Sequence, residues 1–357
     1  MTRCAVSLSL GEKSENCNLE EEKMKKILAL VCAVLMVLAL TACGQTAAPA
    51  ESAAPAESAA PAETPESFTV GICQLVQHPA LDLATQGFED ALTELLGDSV
   101  TFVEQKASGD AATCSVICSQ FVSDEVDLIM ANATAALQAA ASATADIPIL
   151  ATSITDYGTA LGIDGWTGTT GMNISGTSDL APLDGQAQVL NELFPEAKTV
   201  GILYCSGEPN SKYQADTIKP MLEGYGYTVT EYTFADSNDV SSVAATACSE
   251  VDVLYIPTDN TAASCTEAIN NVALNAGTPI IAGEEGICAG CGVATLSISY
   301  YDIGYATGEM AYEILVNGAD VSAMEVQYAP QFTKEYNAAI CEALQITVPE
   351  DYVAIGE

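Results

Sequence analysis

From residue 68 onward, apolar positions come in short runs rather than in alternation. Phe68–Leu75, Val100–Glu104, Val126–Met130 and Ile147–Ala151 are each rich in Val, Ile and Leu and bounded by turn residues. Between them lie stretches with helical spacing: from Ala80, over Ala111–Ser123 and over Thr134–Thr144. Short continuous runs of this kind read as strands buried on both faces, and the intervening helices make them a parallel sheet with crossovers. A Gly/Thr-rich stretch, Gly158–Gly176, interrupts the pattern, which then restarts. Strands are expected at Thr199–Tyr204, Tyr227–Thr233, Val253–Ile256, Pro279–Ala282 and Val293–Ser297, with helices near 184–194, 211–223, 238–248 and 262–275. Two successive sets of similar size predict an α/β fold of two doubly wound parallel-sheet lobes.

Ligands of such sheets bind beyond the carboxyl ends of the strands, and here the residues after each strand are polar. Gln74, Gln77, His78 and Asp82 follow the first strand, Asn132-Ala133-Thr134 the third, and Thr152-Ser153-Ile154-Thr155-Asp156 the fourth. In the second half Ser206, Glu208, Asn210 and Ser211 follow the first strand, Thr258, Asp259 and Asn260 the third, and Glu284 the fourth. Any one of these reads first as a helix cap. Three clusters per half also line a cleft from both sides, and the two roles are compatible.

The first 67 residues follow a different pattern. Met24-Lys-Lys precedes an unbroken apolar run of 14 residues, Ile27 to Leu40, and then Leu40-Thr41-Ala42-Cys43. That is the layout of a secretory signal, too short for a span of roughly 20 residues. Its end resembles the bacterial lipobox, whose cysteine is lipidated, so residues 24–42 are expected to be a signal peptide and Cys43 a lipid anchor. Residues 1–23 fit no targeting class and suggest an over-long gene start. Three Ala-Pro-Ala-Glu repeats between Ala48 and Glu63 cannot bury a core; residues 43–67 read as anchor and disordered, semi-extended linker.

Charge narrows the partners. The chain of 357 residues carries 48 acids against 10 Lys plus Arg, a net charge of −38. No basic face exists to displace counterions from a nucleic acid or to dock on anionic lipid. Five of the ten cations precede residue 43, and no Arg follows it. Nine of the 13 cysteines lie beyond Cys43, an odd number with no disulfide framework. Cys288-Ala-Gly-Cys291 reads as a Gly-rich turn before a strand, the wrong context for a redox motif that opens a helix. Small apolar filling is the simpler role for these cysteines. No nucleophile elbow, phosphate-cradling loop or metal spacing is present, so neither enzyme nor cofactor nor metal is expected.

Six segments together resemble the substrate-binding proteins of bacterial ABC importers, of the type I periplasmic-binding-protein fold, and more narrowly their tryptophan/tyrosine-type branch. They are Gln77–Asp82, Gly171–Asp179, Gly201–Ser211, Tyr255–Asn260, Gly283-Glu284 and Tyr300–Gly304. Departures fall at Gln77, where relatives often carry Glu, and in Tyr157–Thr170. The resemblance implies two lobes joined by a hinge, 68–180 plus 297–326 and 181–296 plus 327–357. It further implies capture of an aromatic amino acid by hinged closure, and delivery by a monomeric receptor to a permease with a separate ATPase. Without Arg, an amino-acid carboxylate must be met by helix amino ends and hydroxyls, for which Thr134, Ser153 and Thr155 are candidates, with His78 beside them. Asp259 is the first choice for the ammonium, then Glu208 and Glu284; Gln74, Ser178, Asp179, Ser206, Asn210, Thr258 and Asn260 complete the candidate lining. Tyr300, Tyr301 and Trp166 are candidate aromatic walls. Rival readings are a receptor for another small polar ligand (another amino acid, a sugar or a nucleoside), a thiol oxidoreductase, and an adhesin.

Overall fold

A computed structural model describes residues 67–356. The signal segment, Cys43 and nearly all of the linker lie outside the described residues. Parallel strands β1 (Phe68–Gln74), β2 (Val100–Lys106), β3 (Leu128–Asn132), β4 (Ile149–Ile154) and β5 (Ile174–Ser178) form the first sheet, in the order β2-β1-β3-β4-β5. They are linked by α1 (Pro79–Leu96), α2 (Ala111–Ser123), α3 (Thr134–Ala143) and α4 (Tyr157–Leu161). The second sheet repeats the plan with β6 (Thr199–Cys205), β7 (Thr228–Phe234), β8 (Val253–Ile256), β9 (Ile280–Ala282) and β10 (Ala294–Ser297), in the order β7-β6-β8-β9-β10. Its helices are α5 (Leu183–Leu193), α6 (Pro209–Gly224), α7 (Val240–Glu250), α8 (Asn260–Ser264), α9 (Thr266–Ala276) and α10 (Glu285–Cys291).

The chain passes between sheets three times. After β5 it enters α5; after β10 it returns as α11 (Tyr300–Leu315), which packs on α1, β4 and β5. A short strand, β11 (Gln327–Tyr328), joins β5, and β12 (Thr333–Tyr336) then adds antiparallel to β10. The tail forms α12 (Ala338–Leu344) and β13 (Val353–Ala354) beside β12. Each sheet is covered on both faces. In the first lobe Phe121, Ile129 and Leu137 fill the α2–α3 side while Phe88, Met130 and Met310 fill the α1–α11 side. In the second, Ile202, Ile218 and Tyr255 face α5 and α6 while Phe234, Leu254 and Ile287 face α7 to α10. Each large apolar side chain buried this way contributes about 1.5–3 kcal/mol. Among the described residues no helix is long and apolar enough to cross a membrane.

Two sequence expectations need correcting. The Gly/Thr-rich stretch ends in β5, a fully buried strand that reads as polar because hydrogen bonds satisfy its side chains. Ser175 Oγ donates to the Met324 carbonyl at 3.0 Å, and the Thr177 hydroxyl lies 3.0 Å from that of Thr152 and 2.9 Å from that of Thr307. Within it Gly176 (φ 142) passes so close to β4 that a Cβ would lie 1.9 Å from the Ala151 carbonyl oxygen. The Cys288/Cys291 pair lies not in a turn but in α10, a helix that follows β9 and ends at Cys291.

Candidate functional site

The carboxyl ends of β3 and β4 are built unusually. Asn132 pairs with Thr152, and the residues that follow, Ala133 (φ 87) and Ser153 (φ 58), both adopt left-handed backbone. Strain at two neighbouring strand ends is the kind that persists where a site over-determines it. Ala133 donates to the Thr152 carbonyl at 3.1 Å and leads directly into α3, whose amino end has no side-chain cap. Ser153 is 6% exposed, and its hydroxyl has no partner among the described residues. Uncapped first-turn amides and a buried hydroxyl are groups that can hydrogen-bond a carboxylate.

Next to it lies the opposite charge. Thr155, two residues beyond Ser153, donates to Asp179 Oδ1 at 3.1 Å, and the Tyr300 hydroxyl donates to Oδ2 at 3.0 Å. Burial raises the Asp179 carboxyl to about 6 despite these bonds. Burial likewise raises Glu284 to about 7, and burial, then the nearby Glu208, raises Asp259 to about 8. Among the described residues no lysine pairs with any of these acids: Lys106, Lys212, Lys219 and Lys334 are bound elsewhere, and Lys198 is exposed. The cleft is therefore acidic with no internal cation.

The lobes touch across it. Nε2 of His78, at the amino end of α1, lies 3.3 Å from Asn260 Oδ1 of the second lobe. Burial lowers the His78 pKa, favouring the neutral ring; with Nε2 donating to the amide oxygen, Nδ1 is an acceptor, buried and unpartnered. Gln214 on α6 donates to Thr155 Oγ1 at 3.3 Å, and Thr258 lies beside the Tyr300 hydroxyl.

The structure thus gathers His78, Thr134, Ser153, Thr155, Asp179, Thr258, Asn260 and Tyr300 around the cleft, and gives other candidates to the scaffold. Both oxygens of Asp259 accept backbone N–H groups, Oδ2 from Cys205 and Oδ1 from Ala262 at 2.7 Å each, so it caps α8 and straps the β6–α6 loop. Glu208 is saturated by Asn260 and Thr261, and Glu284 by the amides of Gly286 and Ile287 at the start of α10. Gln74 is fully bonded to Val76, Asp82 and Thr85. Ser178 binds the Thr155 carbonyl, Asn210 the Thr258 carbonyl, and the exposed Ser206 turns to the Phe234 carbonyl. Trp166 stacks on Tyr157 within the first lobe, and Tyr301 bonds Asp90 on the outer side of α11. Sequence reasoning overlooked Gln214. Its signal is the buried stripe of α6, which begins with polar Asn210, Ser211 and Gln214 before turning apolar at Ala215, Ile218 and Leu222.

The nine cysteines among the described residues are free thiols, eight of them buried. Burial raises Cys288 and Cys291 far above the ordinary thiol range, the opposite of what a thiol nucleophile needs.

A family model described as ABC transporter substrate binding protein matches residues 69–355. A relative from Clostridioides difficile, named tyrosine-binding protein, is 38% identical over 297 residues, which are 82% of this chain and 85% of the relative. An ABC domain from Streptococcus pneumonia in complex with L-Trp superposes with TM-score 0.76 at 32% identity, covering 80% of this chain and 97% of that one. A ligand-free, open substrate-binding protein with adhesive properties from Clostridium difficile superposes less well, TM-score 0.62, although it is 38% identical; 81% of this chain and 99% of that one are covered. Members of such a family bind their ligands rather than transform them. This chain belongs to the ABC transporter substrate-binding protein family.

Proposed function

We propose that this protein is the extracytoplasmic receptor of an importer, tethered by a lipid at Cys43, that captures an aromatic amino acid and passes it to a permease driven by a separate ATPase. Tyrosine and tryptophan are the favoured ligands. The named ligands of the two relatives support this class, and so does the chemistry of the cleft.

One observation carries the reading. Uncapped α3 amides and the unpartnered Ser153 hydroxyl stand beside Asp179, a buried carboxylate with no cation. That pairing complements a zwitterion and nothing with net negative charge. The carboxylate of the ligand takes the α3 end and Ser153; its ammonium takes Asp179, which replaces Asp259 in this role. His78 and Asn260, meeting across the cleft, then close over the bound molecule, a hinged capture of the usual kind.

Titration calorimetry with L-tyrosine, N-acetyl-tyrosine and tyrosine amide tests the head-group assignment. Both blocked compounds are expected to bind at least about a hundredfold more weakly, because each leaves a buried polar group unpaired. Equal affinity for either would remove the matching half of the site.

A further inference from the structure

Three of the nine cysteines among the described residues meet inside the first lobe, on the sheet face covered by α2 and α3. Cys73 is on β1, Cys114 and Cys118 are on α2, and all three are fully buried in one apolar cluster. Their register follows from the backbone. As the crossover between parallel strands, α2 runs antiparallel to β1, and Gly71 faces Phe121, whose ring a Cβ at Gly71 would approach to 2.7 Å. Cys73 lies on the same face of β1, about 6.6 Å further toward its carboxyl end. Going back along α2 from Phe121, Cys118 is reached after about 4.5 Å and Cys114 after about 10.5 Å. Cys73 therefore stands level with the gap between the two helix thiols.

The side chains interact as that register requires. Hydrogen bonds with Cys114 and then Cys118 raise the Cys73 thiol above its ordinary range, while the bond from Cys73 lowers the thiol of Cys114. Cys114 is thus the thiol that ionises first, and Cys73 the one that keeps its proton. Cys288 and Cys291 differ, because burial raises both.

Geometry also decides which bridges can form. Cys114 and Cys118 stand i, i+4 on one helix, with Cβ atoms about 5–6 Å apart, beyond the roughly 3.5–4.5 Å that a disulfide spans. Cys73 faces both from a different element, so it is the common partner of any bridge within the cluster.

We propose that this cluster is a reversible oxidation site, at which Cys73 forms a disulfide with Cys114 or Cys118 and ties β1 to α2. The oxidant is hydrogen peroxide, small enough to reach a buried thiol through brief local opening. The Cys114 thiolate attacks one peroxide oxygen; an S–O bond forms, the O–O bond breaks, and the departing hydroxide takes up the proton that Cys114 released, giving water and a sulfenic acid. The Cys73 sulfur then attacks the Cys114 sulfur. The S–S bond forms, the S–O bond breaks, and the Cys73 proton leaves with the hydroxyl as a second water. Two thiols lose two electrons between them, and one peroxide becomes two waters. Attack of Cys118 on the Cys73 sulfur moves the bridge to Cys118 and frees Cys114, with no net redox change.

The test is to treat the folded full chain with hydrogen peroxide, alkylate the remaining thiols in denaturant and map the cysteines by peptide mass spectrometry. The expected result is the loss of two free thiols from the cluster, with Cys73 joined to Cys114 or Cys118, and their full return with dithiothreitol. In a Cys73→Ala variant the bridge has no partner, so Cys114 is expected to persist as a sulfenic acid that dimedone traps. Cys73 left as a thiol under treatment that oxidises Cys265 would overturn the proposal. So would a bridge from Cys73 to any other cysteine, or one that forms only after urea has unfolded the chain. The parent protein alone decides among these results, and none of them bears on the ligand reading, which rests on other residues.

Discussion

Ser153 holds a backbone conformation that costs a non-glycine residue about 1–3 kcal/mol, and buries a hydroxyl that has no partner among the described residues. In the proposed complex a ligand carboxylate accepts a hydrogen bond from that hydroxyl and offsets the cost of burying it. Ser153→Ala is therefore expected to lower affinity for the aromatic ligand about tenfold while moving the thermal midpoint of the empty protein little; unchanged affinity would place the hydroxyl outside the site. The placement of Ser153, Thr155 and His78 at or just after strand ends was legible in the sequence because polar residues there are few and follow the sheet's pattern. The choice between Asp179 and Asp259 was not. Each follows a strand, and only the fate of their oxygens separates them: two backbone amides for Asp259, two side-chain hydroxyls for Asp179. Cysteine chemistry is also decided residue by residue. Alkylation of the native protein is expected to label Cys265 first, because it alone among the described cysteines is not buried, with Cys288 and Cys291 reacting only after unfolding. Rapid labelling of that pair would revive a thiol function.

At the scale of elements, α1 and α11 cross so closely that a Cβ on Gly304 would lie 2.0 Å from the Ala84 carbonyl oxygen, and one on Gly87 would lie 2.2 Å from that of Tyr301. Backbone cannot yield as a side-chain tip can, so Gly304→Ala should destabilise the first lobe by about 1–3 kcal/mol or more, measured by denaturant titration; no loss would mean the helices separate freely. The packing matters for function because α11 carries Tyr300 to Asp179. Nine strands and most helices were legible from apolar runs and helical spacing. The elements missed include β5, α10, α11 and the short strands β11 to β13; among them β5 is the one whose burial is satisfied by hydroxyls instead of by apolar contact, so a criterion built on Val, Ile and Leu passes over it. The amphipathic stripe of α6 hid Gln214 for the converse reason: polar residues on a buried helix face look like solvent exposure until the first lobe, with Thr155, is seen facing them.

For the whole molecule, the acidic cleft makes stability depend on pH and ligand together. Asp179 stands at about 6, Glu284 at about 7 and Asp259 at about 8 in the folded protein, against 3.8, 4.5 and 3.8 ordinarily. These folded values are raised, so the folded state holds its protons more tightly than the unfolded chain. The stability they contribute is full below about pH 4 and is lost as the pH rises through 6 to 8. The empty protein's thermal midpoint should accordingly fall between about pH 5 and pH 8.5. A bound ammonium beside Asp179 favours its ionised form, so saturating ligand should flatten that fall. A midpoint that rises with pH in the empty protein would contradict the buried, cation-free cleft.

The most direct measurement is thermal unfolding of the stripped protein at neutral pH against a panel of amino acids, sugars and nucleosides. A ligand that binds only the folded state, present at about 100 times its dissociation constant, adds roughly 2.7 kcal/mol, a readable rise in midpoint. The expected result is a rise with tyrosine and tryptophan, and none with aspartate, glutamate, sugars or nucleosides. A rise confined to a sugar, a nucleoside or an acidic amino acid, or no rise at all from folded and empty protein, would contradict an aromatic zwitterion held between Ser153 and Asp179.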